Sequence, residues 1–135
     1  MKATPSKTKE KKTKVSPVLK GETFVLDATN QSLGRVASQA AKLLRGKNSP
    51  FFQLHLAPVN KVVINKAGLL KISEKKALQK IYFHHTGYPG NAKYPTLSQV
   101  VSKKGKREIL QMAIKGMMPA NRLRPIALKN LTINE

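Results

Sequence analysis

The chain has 135 residues, 40% of them hydrophobic, enough for one domain with a modest core and too few for two of ordinary size. Its 26 Lys and Arg face only 6 Asp and Glu, a formal net charge of +20, so the folded surface repels itself unless a polyanion such as nucleic acid neutralises it. With no cysteine there are no disulfides or thiolate metal sites, and with no apolar run near the roughly 18 residues of a bilayer span, a soluble, intracellular protein is expected.

Residues 1–20, MKATPSKTKEKKTKVSPVLK, carry seven lysines, one glutamate and two prolines. Such a stretch buries too little apolar surface to offset chain entropy, so we expect a disordered basic arm over residues 1–22 and a single α/β domain over 23–135. A transit peptide fits less well, because the stretch lacks arginine and contains Glu10. TFVLD, from Thr23, predicts a short buried strand. In the LGRVASQAAKLLRG that follows, Leu33, Val36, Ala37, Ala40 and Leu44 share one helical face, with Ser32 as N-cap and Gly46 as C-cap. KVVIN (Lys61 to Asn65) predicts a second buried strand. Strand, helix and strand in this order are the signature of a right-handed crossover between parallel strands, and hence of an α/β fold.

A brief turn then precedes LLKIS, a lysine-rich connection follows, and LQKIYFHH predicts a strand entering the loop TGYPG. TLSQVVSKK and REILQMAIKG predict helices, the second with Ile109, Leu110, Ala113 and Ile114 on one face and Gly116 at its end. Pro119 and Pro125 predict an extended or turning segment through MMPANRLRP, before a last apolar stretch at ALKNLTI.

The adjacent His84 and His85 invite an enzyme reading. On a strand, successive side chains point to opposite faces, so the pair cannot readily chelate one ion, and we expect one ring packed and one exposed. Beyond residue 20 the only carboxylate side chains are Glu22, Asp27, Glu74, Glu108 and Glu135, none near the pair in sequence. RGKNS has the look of a phosphate loop's end, but Ala41 stands where the first glycine belongs and Asn48 where Ser or Thr belongs. It also closes a helix, presenting carbonyls, where phosphate needs the amides of a helix start. Gly87 and Gly90 make no GxGxxG after a strand. These residues predict no catalytic site, no metal and no cofactor.

The basic residues fall into groups: Arg35, Lys42, Arg45 and Lys47; Lys75, Lys76 and Lys80; Lys103, Lys104, Lys106 and Arg107; Lys115, Arg122, Arg124 and Lys129, with Lys93 just beyond the loop. One group alone reads as a solvated face. Together, with almost no interleaved acid, they predict several phosphate contacts and steep salt dependence. An anionic membrane would need a basic amphipathic helix or lipid anchor, and neither stands out. Structured RNA is preferred to duplex DNA, because the charge is spread over loops and helix ends instead of one groove-reading helix. Tyr82, Phe83 and Tyr88 add rings to the loop, and at least one of Tyr82 and Phe83 is expected in the core.

Several stretches in this order, FVLDATNQSLGRVASQAAKLLRGK, KVVINKAGLLKIS, QKIYFHHTGYPG and AIKGMMPANRLR, resemble the large-subunit ribosomal protein L-thirteen family of bacterial-type ribosomes, from about Phe24 to Leu131. The resemblance implies a three-layer α/β/α fold around a mainly parallel sheet, with no enzymatic activity and no cofactor. It implies 23S-type ribosomal RNA and neighbouring large-subunit proteins as partners, and a cytoplasmic ribosome, with an organellar one left open. The matching site residues are Arg35, Arg45, Gly46 and Lys47; His84, His85, Thr86 and Gly87; and Lys115, Gly116, Met117, Pro119, Asn121 and Arg122. The chain departs from the family at LAPVNK, before the second strand, and at Leu123, Arg124 and Pro125, where Leu-Gly-Arg is usual. It also ends without the usual His- and Gln-containing tail. The rival functional reading is a free RNA-binding translational regulator, and a more distant one is a phosphate-handling enzyme.

Overall fold

The computed structural model describes residues 21–135, so the expected basic arm lies, apart from Gly21 and Glu22, outside the described residues. TFVLD forms β1 (Thr23–Asp27), a strand as expected but not a buried one: it lies at the sheet edge, with Phe24 and Leu26 half-buried and Val25 exposed. At its end, Asp27 Oδ1 accepts from the Thr29 amide (3.0 Å) and hydroxyl (2.6 Å), which turns the chain toward α1 (Leu33–Leu44). Ser32 has the extended backbone of an N-cap but makes no side-chain capping bond. The other end of α1 closes in a Schellman motif. The Gly46 amide donates to the Leu43 carbonyl (2.9 Å), the Lys47 amide to the Lys42 carbonyl (3.1 Å), and Gly46 takes the φ of +72° that glycine tolerates best.

The crossover returns to β2 (Lys61–Asn65), parallel to β1 with Phe24 beside Val62 and Leu26 beside Ile64. On the far side of β2, β5 (Leu131–Ile133) pairs in parallel, giving the order β1-β2-β5. The α/β class and parallel central sheet expected from the sequence are therefore present. Because the registers are in phase, Phe24, Leu26, Val62, Ile64, Leu131 and Ile133 share one face. They join one core with the apolar stripe of α1, which is the expected set plus Ala41.

The core is completed by α3 (Leu97–Met117), packed along α1. Leu97, Ile109, Leu110 and Ile114 are fully buried there, each stabilising the fold by about 1.5–3 kcal/mol relative to exposure. A capping box opens α3, with the Thr96 hydroxyl accepting from the Gln99 amide (3.5 Å) and Gln99 Oε1 from the Thr96 amide (3.1 Å). The two helices expected here are the two arms of α3, which meet at Gly105, whose φ of +77° and ψ of +171° are non-helical and interrupt the helix. Gly116, expected to end the helix, lies within it, because the last turn runs on to Met117.

Two further expectations change. The strand predicted at LQKIYFHH is mostly not a strand. Glu74–Gln79 form a short helix, α2, favoured by Glu, Lys, Ala and Leu, and only His84–His85 (β3) pair with Ala92–Lys93 (β4). Pro125 does not break the chain but sits in the first turn of α4 (Arg124–Lys129), where its missing N–H has no partner to lose.

Candidate nucleic-acid interface

Packing α1 along α3 brings together groups that lie far apart in sequence. Lys42, Arg45 and Lys47, from the end of α1, line a shallow concavity of about 330 Å³ with Ser38, Ala41 and Met117. Arg45 is half-buried, its guanidinium 5.7 Å from the Phe52 ring centroid, a cation–π contact that restrains the side chain. A second hollow on Arg45 includes Pro119, Asn121, Leu123 and Arg124. There, Asn121 Oδ1 accepts from the Arg124 amide (3.0 Å) and shapes the turn into α4. Arg45 thus joins the first basic group to the late one.

Sequence reasoning missed the loop that completes this region. Arg45, Gly46, Asn48, Phe51, Phe52 and Asn60 are among the residues lining a cleft of about 450 Å³. Asn60, buried, fixes it: Nδ2 donates to the Leu43 carbonyl (3.1 Å) and to Asn48 Oδ1 (3.4 Å), while Oδ1 accepts from the Glu22 amide (3.3 Å). An asparagine beside an apolar strand has no periodic signal; its one hint is a polar residue directly before KVVIN.

The second region is the hairpin. His84 and His85 are both exposed, which corrects the expectation that one is packed: a two-residue strand at the edge of the body has no core face to offer. His85 Nδ1 accepts from the Gly87 amide (2.9 Å) across the exposed Thr86, so the ring braces the turn in which Gly87 (φ +97°) and Gly90 (φ +76°) reverse the chain. Tyr82 is half-buried against the core and its phenol pKa is raised by that burial, whereas Phe83 is exposed, so one of the two rings is core as expected. Lys93 lines a cleft of about 450 Å³ with Tyr94, Gln99, Lys103 and Lys104.

The remaining sites are dispersed. Arg35 is exposed on α1, Lys75 and Lys76 on α2, and Lys80 follows α2 with its ammonium 5.2 Å from the Tyr82 centroid. Arg107, Lys115 and Gly116 are exposed on the second half of α3, and Arg122 and Lys129 lie exposed beyond it. Lys106 differs: its ammonium donates to the Gly68 (2.7 Å) and Leu70 (3.2 Å) carbonyls and ties α3 to the turn at Ala67–Leu69.

One ion pair occurs among the described residues, Lys66 Nζ to Asp27 Oδ2 at 3.8 Å, exposed on both sides. The other described cations reach no described carboxylate, so their field is uncompensated. Among the described residues no group of three His, Asp or Glu is placed to hold a metal, and no helix is long and apolar enough to cross a membrane. This surface suits a polyanion.

The pattern of the family described as Ribosomal protein L13 matches residues 21–135, all that the structure describes. The chain belongs to the ribosomal protein L13 family. It is similar to the large ribosomal subunit protein uL13 of Symbiobacterium thermophilum, 42% identical over 100 residues that cover 74% of this chain and 69% of that one. The proteins of the same name from Roseiflexus sp. (40% over 112 residues, 83% and 76% covered) and Listeria welshimeri (40% over 110, 82% and 75%) are comparable. The family expected from the sequence motifs is therefore the family found, and the two cationic regions belong to an L13-type body.

Proposed function

We propose that this protein is a structural constituent of the large ribosomal subunit, binding 23S-type ribosomal RNA and neighbouring large-subunit proteins and supporting subunit assembly without catalysis. It acts as a rigid cationic brace. Its uncompensated charges lie between RNA segments whose phosphates would otherwise repel, and its shape selects the site. The observation that carries this reading is the meeting, at Arg45, of the α1 cations with Met117, Pro119, Asn121 and Arg124 on one face. Membership of the L13 family supports the ribosomal setting; the ribosome of this proposal is a cytoplasmic one, with an organellar ribosome as the alternative.

The test is sedimentation through a moderate-salt gradient, in which the protein travels with large subunits. Presence only in the light fractions would favour a free RNA-binding regulator. Replacing Arg45 and Lys47 with Ala weakens RNA binding and makes log K against log salt less steep by about 1 per lost contact. An unchanged slope would remove both from the phosphate contacts.

A further inference from the structure

Phosphate binding does not account for the rings on the hairpin. The register that pairs His84 with Lys93 and His85 with Ala92 continues back to a bridge between Ile81 and Thr96, which sets Phe83 opposite Tyr94. With a side-chain period of two, Phe83, His85 and Tyr94 share one face. The Phe83 and Tyr94 centroids are 5.3 Å apart, and Phe83 and His85 are stacked at 6.3 Å with 20° between their planes. Yet Phe83 is 65% and Tyr94 62% exposed, so the row of rings packs on itself and not on the core. Tyr94 also forms part of the cleft that Lys93, Gln99, Lys103 and Lys104 line. Gln99 Oε1 is engaged by the Thr96 amide, which leaves its NH₂ group to donate.

The geometry points to a docking site for an unpaired RNA nucleobase, stacked on the Phe83–Tyr94 rings, with its flanking phosphates on Lys103 and Lys104. This rests on the RNA-binding reading above and adds the class of nucleotide recognised. A flat aromatic face beside lysines that meet no described carboxylate matches a base joined to an anionic backbone. The faces of a base inside an A-form duplex are covered by its neighbours, so the base must be unpaired. The Gln99 amide is placed to donate to a base-edge acceptor.

The test uses the full chain and three labelled probes at one salt concentration: a short oligouridylate, an abasic ribose-phosphate chain of equal length, and an RNA duplex. The wild type is expected to bind oligouridylate more tightly than the abasic chain. Phe83→Ala and Tyr94→Ala should each weaken oligouridylate binding about tenfold while leaving abasic and duplex binding and the salt slope unchanged. Tyr94→Phe, which keeps the ring, should restore the affinity. Wild-type affinity for oligouridylate in both Ala variants, or no wild-type preference for it over the abasic chain, overturns the base site, leaves the RNA-binding reading standing and turns the rings over to a protein partner. Failure of all three probes to bind at low salt overturns both.

Discussion

Lys104 and Lys106 are two residues apart and serve opposite purposes. Lys104 lines an open cleft, whereas Lys106 satisfies two carbonyls at the turn Ala67–Leu69. A charged donor in such bonds contributes about 1.5–3 kcal/mol when buried, and partial exposure reduces this, so Lys106→Ala is expected to cost about 1 kcal/mol in urea unfolding with no change in the RNA salt slope. Lys104→Ala should do the reverse. Sequence shows that both are basic; it cannot show which has a carbonyl within reach. At Asp27 the carboxyl pKa is lowered, first by the Thr29 hydroxyl, then by the Thr29 amide, with Lys66 a smaller contribution. A depressed folded pKa stabilises above the unfolded value and that contribution is lost as pH falls through the folded one. Thr29→Val should therefore be less stable than wild type at neutral pH, with the gap closing below about pH 4. A gap that stays constant down to acid pH would assign the loss to packing alone.

Among the elements, the ones legible in sequence are those whose apolar period is long enough to read. Leu33 to Leu44 and Ile109 to Ile114 show a helical stripe, and TFVLD and KVVIN read as strands; all are found, but only KVVIN is buried, because β1 is an edge strand whose outer face, with Val25, meets solvent. The helix α2 has six residues, none buried, and so carries no stripe to recognise, while α4 was masked by Pro125, which serves a first turn as readily as it breaks a later one. The bend in α3 is set by Gly105, whose φ and ψ fall in a region essentially reserved for glycine. It lets Lys103 and Lys104 line the cleft beside the hairpin while Lys106 reaches the turn at Ala67–Leu69. Gly105→Ala is expected to destabilise the fold by about 1–3 kcal/mol, measured by thermal unfolding. A neutral outcome would show that the bend is not held by its backbone.

For the molecule as a whole, the charge was legible and its arrangement was not. The sequence shows clusters, but Arg45 meets Met117 and Arg124 only because α1 and α3 pack side by side, a contact between segments about 70 residues apart. Likewise, Tyr94 joins Phe83 only through the hairpin register, which no composition reveals. Apart from Lys66, the described cations lack a described acid partner, and on the function proposed above it is surrounding anionic polymer that holds the body in its assembly. The most direct measurement is crosslinking of the protein within purified large subunits, with the attached nucleotides mapped. The account predicts ribosomal RNA crosslinks from both the Arg45 region and the Lys93–Lys104 cleft. Cationic faces open to solvent, with no ribonucleotide attached at either region, would contradict it.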